Sequence, residues 1–200
     1  MTWATHYDAD TCDHYHASAA KPYRAEICSL IELFHPTRVL EIGCGPGAQR
    51  LAMIANRLIG VEYYGVDCSP EAIAFARALH VPGRFYRADA SDPELLDSLA
   101  EEHGPFDVIF SVYAMCYLQG GNPMAWALRH AQSAVIPAEP SSTGQEYLCQ
   151  YGPYPEWHRN YHKLFRGSPH HRLWISNLRQ PVDHLTDVTV WERKREEKSE

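Results

Sequence analysis

The stretch Val39-Leu40-Glu41-Ile42-Gly43-Cys44-Gly45-Pro46-Gly47 carries the densest chemistry in the sequence, an acid followed by glycines at alternate positions. Glycine in such a turn lets the backbone bend tightly and approach a ligand, beneath a helix N-terminus that favours electron-rich groups. Gly43, Gly45 and Ala48 satisfy the Gly-x-Gly-x-x-Gly/Ala spacing of a dinucleotide-binding turn. Glu41 argues against that reading: a carboxylate two residues before the first glycine repels a pyrophosphate and attracts a cationic or amine-bearing ligand. Pro46 also removes an N–H where a phosphate cradle needs one. Two more acids stand in comparable settings, in Gly65-Val66-Asp67 and Ala88-Asp89-Ala90, and a polar group ends the run Phe106-Asp107-Val108-Ile109-Phe110-Ser111.

Each of these groups must be positioned by the end of a buried strand. Apolar runs rich in Val, Ile, Phe and Tyr predict strands at 38–42, 61–66, 84–88 and 107–112, each followed by a helical pattern. Ser69-Pro70-Glu71 and Asp92-Pro93-Glu94 both read as an N-cap, a proline suited to the first helical turn and an acid in that turn. A further helix is predicted over 124–135, a loop over 134–144, a fifth strand at 145–151, a helix at 156–165 and closing strands at 172–178 and 186–193. Ahead of the first strand, Ile27, Leu30, Ile31 and Phe34 share one face of a helix over 23–34. Alternating strands and helices specify an α/β fold with a mostly parallel sheet.

In order, these motifs resemble class I (Rossmann-like) S-adenosylmethionine-dependent methyltransferases of the small-molecule type, over roughly residues 38–118. The resemblance implies a three-layer, doubly wound, mostly parallel seven-stranded sheet with a helical N-terminal lid. It divides the chain into a lid at 1–37, the S-adenosylmethionine-binding domain at 38–193 and a charged tail at 194–200. It also implies that Glu41, Gly43, Gly45, Gly47, Asp67, Cys68, Asp89, Ala90, Ser111 and Tyr23 bind S-adenosylmethionine, Asp67 through the ribose hydroxyls and Asp89 near the adenine amino group. The family members that methylate DNA bases or glutamine carry Asp or Asn, then Pro-Pro and an aromatic residue, at the end of the fourth strand. Ser111-Val112-Tyr113 departs from that pattern and fits the small-molecule members better. No counterpart of the metal-binding acid set of catechol-type enzymes is found, so no metal is expected.

Methyl transfer from a sulfonium is an in-line displacement that asks the protein mainly for alignment, and for a general base only when the acceptor is protonated. His16, Tyr15 and Tyr113 are the candidates for proton handling, the first two in an N-terminal segment that also carries Tyr7 and Tyr23. A second concentration of chemistry spans 158–179, with five Lys or Arg, four His and no acid. His158, Arg159, His162 and Arg166 are its candidates for recognising an anionic acceptor. On a helix His158 and His162 would share a face, a spacing able to hold a metal, yet no His-Glu-x-x-His pattern accompanies them. A solvated helix face is the competing reading of that segment.

Composition bounds the rest. The 200 residues carry 18 Lys and Arg against 25 Asp and Glu, for a net charge of −7. That balance disfavours a nucleic-acid or anionic-membrane partner. The protein is expected as a monomer or homodimer with a small-molecule partner. Six cysteines stand singly, without a Cys-x-x-Cys pair. With no secretory signal at the N-terminus and no apolar run near the roughly 20 residues of a spanning helix, a cytoplasmic protein with free thiols is expected. Two alternatives use the same site: aminopropyl transfer or cyclisation by another S-adenosylmethionine enzyme, and a non-catalytic donor-binding subunit.

Overall fold

A computed structural model describes residues 7–118, 123–140, 147–151, 154–158, 161, 163, 170–179 and 185–193. Five strands, β1 (Arg38–Ile42), β2 (Glu62–Asp67), β3 (Arg84–Arg87), β4 (Phe106–Val112) and β5 (Ala131–Pro140), pair in parallel with one another. Two more, β8 (His170–Arg179) and β9 (Leu185–Arg193), complete a seven-stranded sheet of order β3-β2-β1-β4-β5-β9-β8, in which β9 runs antiparallel to both neighbours. A separate hairpin joins β6 (Tyr147–Tyr151) to β7 (Tyr154–His158).

Period-two alternation sorts the strand residues onto two cores. Val39, Val108, Phe110, Ala134 and Ile136 pack on one side with α2 (Pro22–Glu32), α3 (Ala48–Ala55) and α4 (Pro70–Ala78). Leu40, Ile42, Ile109 and Val135 pack on the other with α5 (Pro93–His103) and α6 (Pro123–His130). The result is the three-layer doubly wound arrangement expected. Ser69 and Asp92 accept the N–H groups of Ala72 and Glu94 as caps of α4 and α5, and Asp8 likewise caps α1 (Ala9–Ala17). Among the described residues, no helix is long and apolar enough to cross a membrane.

Four expectations are corrected in the second half. The helix predicted to 135 ends at His130, and the predicted loop is largely β5, an interior strand between β4 and β9. Pro137 and Pro140 suggest a loop, but Ala134, Val135, Ile136 and Ala138 are fully buried, and that burial outweighs the missing ladder N–H groups. The strand expected at 145–151 forms as β6 but joins the hairpin instead of the sheet. Residues 156–158 of the predicted helix belong instead to β7, with His158 paired opposite Tyr147. Arg159, His162, Arg166 and the tail 194–200 lie outside the described residues.

Candidate functional site

Chain reversal in a doubly wound sheet opens a crevice beside the carboxyl ends of its first strands. Here β1 leads to β2 and β3 on one side, β4 lies on the other, and a cavity of about 820 Å³ sits at their ends. The backbone after β1 turns through left-handed conformations at Gly43 (φ +75°) and Gly45 (φ +50°). A Cβ on Gly43 would lie 2.0 Å from the Ala114 Cβ, and one on Gly45 would lie 2.9 Å from the Tyr7 hydroxyl, so only glycine leaves both walls in place. Gly43 and Cys44 donate their N–H groups to the Val66 carbonyl at 2.8 and 3.0 Å, tying the turn to β2.

Asp67 completes that tie. Its Oδ2 accepts the Gly45 N–H at 2.9 Å and its Oδ1 accepts the Ser69 N–H at 2.9 Å. Burial raises the Asp67 carboxyl above its ordinary value, and the two N–H bonds oppose that rise. Glu41 is 2% exposed and accepts a hydrogen bond from the Tyr63 hydroxyl. Burial pushes its carboxyl up to about 8, against the lowering effects of that hydrogen bond and of Arg24. Asp89 is exposed at the rim, where its Oδ1 accepts from the Ser91 N–H at 2.9 Å and hydroxyl at 2.7 Å.

Glu41, Gly43, Gly45, Asp67, Asp89 and Tyr23 all line the cavity, as do Cys68 and Ala90. Tyr15 and Tyr113 line it too; Tyr15 lies 5.5 Å from Tyr7 between ring centroids, and Tyr113 lies 6.5 Å from Tyr23. Among the described residues, the candidates His16, Gly47 and Ser111 do not line it. His16 turns its ring onto Phe75 at 5.7 Å, because the helical turn that brings Tyr15 to the cavity carries its neighbour toward α4. Gly47 serves as the left-handed N-cap of α3, and Ser111 is fully buried within β4.

The structure adds residues for which the sequence reading assigned no role. Arg24, 7% exposed, lines the cavity, and its guanidinium donates to Ser18 Oγ and Gln49 Oε1, each at 3.2 Å. Its signal was present: a charge three, four and seven residues before Ile27, Cys28 and Ile31 sits on the apolar stripe of α2. Tyr117, Leu118 and Lys21 also line the cavity.

Residues 40–137 match a family described as a methyltransferase domain. The chain is 33% identical over 106 residues to ribosomal RNA large subunit methyltransferase E of Syntrophobacter fumaroxidans, covering 50% of this chain and 48% of that protein. It therefore spans about half the length of that relative. The fold superposes on magnesium protoporphyrin IX methyltransferase of Synechocystis PCC 6803 with bound S-adenosylmethionine, at a TM-score of 0.64 and 11% identity, over 94% of this chain and 86% of that one. For the 1,6-didemethyltoxoflavin-N1-methyltransferase of Burkholderia thailandensis the TM-score is 0.58 at 18% identity, over 94% and 87% of the two chains.

Proposed function

We propose that the chain, whose residues 40–137 match the methyltransferase-domain family, transfers a methyl group from S-adenosylmethionine to a small-molecule acceptor. The cavity carries this reading: Glu41, Asp67 and Asp89 stand at or just past three neighbouring strand ends, and Tyr7, Tyr15 and Tyr23 face them from the N-terminal segment. Three acids beside a glycine turn, with no cation among the described residues on the sheet side, suit a ligand bearing ammonium, sulfonium, amino and hydroxyl donors. Bound there, S-adenosylmethionine supplies an electrophilic methyl on a positively charged sulfur.

The chain's own residues then have distinct tasks. Glu41 favours a cation, and the approach of one stabilises its ionised form. Asp67 keeps lone pairs beyond its two backbone bonds and takes hydroxyl donors, while Asp89 meets an amino donor at the rim. Gly43, Gly45, Cys68 and Ala90 allow close backbone approach along the wall. Arg24 offers positive charge to a carboxylate. In this proposal residues 1–37 serve as a lid, with Tyr7, Tyr15 and Tyr23 lining the cavity from that side and keeping water from the donor.

The acceptor side is aromatic. Tyr15, Tyr23, Tyr113 and Tyr117 supply four phenol rings with Leu118 beside them, which supports an acceptor with a flat apolar body. Lys21 lines the same cavity and supports an anionic substituent on that body. In this proposal Tyr113 and Tyr15 relay a proton from a protonated nucleophile, and both line the cavity. His158, Arg159, His162 and Arg166 extend the anion recognition in this proposal. Among the described residues Cys12, Cys28, Cys44 and Cys68 carry free thiols, which supports a reducing compartment such as the cytoplasm.

Titration calorimetry with S-adenosylmethionine and S-adenosylhomocysteine tests the donor site, and failure of both to bind overturns the reading. A methyl-labelled donor offered with aromatic carboxylates, phenols and amines then identifies the acceptor. Ribosomal RNA belongs in the same panel, because the relative named above is a ribosomal RNA methyltransferase. Label appearing in the RNA alone would replace the small-molecule reading.

A further inference from the structure

Glu139 is an acid in the middle of the sheet that the reaction chemistry does not use. It lies near the end of β5, is fully buried, and points across to the segment that follows β4. Its Oε1 accepts the Ala114 N–H at 2.9 Å and its Oε2 accepts the Cys116 N–H at 3.3 Å. These amides open the tight turn Met115–Tyr117, whose first N–H groups have no partner within the turn itself. One residue earlier, the Tyr113 N–H bonds the Ala138 carbonyl at 3.0 Å.

The turn so held is not a relaxed one. Tyr113 has φ +53°, in the left-handed region that bulky side chains seldom adopt and that persists only where the surroundings over-determine it. Two adjacent β5 residues provide that determination, Ala138 through its carbonyl and Glu139 through its carboxylate. The consequence reaches the cavity from both sides. Tyr113 and Tyr117 line it, and Ala114 abuts Gly43 so closely that a Cβ there would clash. The β6–β7 hairpin also packs on this turn through β7.

We propose that Glu139 is the positioning residue of the acceptor side: its carboxylate fixes the 113–117 turn and thereby sets where Tyr113 and Tyr117 stand relative to the glycine turn. The term "acceptor side" rests on the methyltransferase reading given above; the positioning itself does not. A neutral amide at 139 keeps one acceptor oxygen, and alanine keeps none, so the two variants have different signatures.

Amide hydrogen exchange resolved by NMR, on the full chain with saturating S-adenosylhomocysteine, tests this. In Glu139→Gln the remaining oxygen retains the shorter bond, so the Ala114 amide stays protected while the Cys116 amide exchanges about tenfold faster. In Glu139→Ala both amides exchange about tenfold faster or more, with protection in β1 and β2 unchanged. With 3-fluorotyrosine placed at 113, the fluorine resonance is single and sharp in the wild type, shifts slightly in the Gln variant and broadens in the Ala variant. Unchanged exchange at both amides, or an equal loss of protection throughout the sheet, overturns the proposal. If the Ala variant fails to fold, the residue-specific split in the Gln variant still decides the matter. Wild-type protein that does not bind S-adenosylhomocysteine refutes the donor reading, whereas the exchange pattern, measured then without ligand, still judges Glu139.

Discussion

Gly45 donates its backbone N–H to Asp67 Oδ2 at 2.9 Å, so the residue at the end of β2 shapes the glycine turn as well as facing the cavity. This double duty separates two substitutions. Asp67→Asn keeps one acceptor oxygen for the two N–H groups, so it should cost less stability than the loss of both while weakening S-adenosylhomocysteine binding by about tenfold or more, as expected for a lost charged acceptor. Asp67→Ala leaves the Gly45 and Ser69 N–H groups unsatisfied and should lower stability by about 1–3 kcal/mol in addition. Calorimetry and thermal melts together read both effects; undiminished binding in the Asn variant would remove Asp67 from the site.

Glu41 gives the protein a pH dependence with a definite sign. Its folded-state carboxyl is pushed up to about 8 from an ordinary 4.5, chiefly by burial. Between those values the unfolded chain ionises while the folded one stays protonated. Glu41 therefore lowers stability progressively as pH rises through that window and adds nothing further above it. Glu41→Gln should flatten this part of the profile. Tyr63→Phe should move its upper limit higher, because the lowering hydrogen bond is gone. A cation over Glu41 favours its ionised form, so S-adenosylmethionine binding at pH 7 should release a proton. Calorimetry in buffers of different ionisation heat measures that release, which the Gln variant should abolish.

The first four strands were readable because each is a short apolar run punctuated by a cap or a glycine turn, and the acids at their ends fell in register with them. Bounds agree within one or two residues, as at β1, where Arg38–Ile42 is both expected and found. The second half was obscured by physics that acts only after folding. Pro137 and Pro140 punctuate β5, whose burial between two strands no local pattern reveals, and with β5 hidden Glu139 had no visible partner. His16 was indistinguishable from Tyr15 by type, since which of two adjacent helical residues faces a cavity depends on what the helix packs against.

Gly43→Ala should be among the most damaging single-methyl changes in the chain. The added carbon would sit 2.0 Å from the Ala114 Cβ, on a backbone with φ +75°. Overpacking of this kind costs about 1–3 kcal/mol, and the left-handed conformation adds to it. Ala114→Gly removes the opposing carbon and should restore part of the loss in the double variant but not all, because the backbone term remains. Melting temperatures of the four proteins complete the cycle; a double variant no better than Gly43→Ala would mean that the clash is not the cause.

Arg24 ties the N-terminal helices to α3, the helix that follows the glycine turn. Its guanidinium reaches Gln49 Oε1 at 3.2 Å, while Gln49 Nε2 donates back to the Arg24 carbonyl at 3.1 Å, and both side chains are buried. Arg24→Ala leaves Gln49 short of a donor and removes the cation that helps lower the Glu41 carboxyl. It should therefore cost about 1–3 kcal/mol of stability and raise the Glu41 transition further. Arg24→Lys keeps the charge but not the forked geometry that serves Ser18 and Gln49 together. It should hold the Glu41 transition near its wild-type position while losing stability. A pH titration of stability for the two variants separates charge from geometry, and identical Glu41 transitions in wild type, Lys and Ala would show that Arg24 does not act on Glu41 at all.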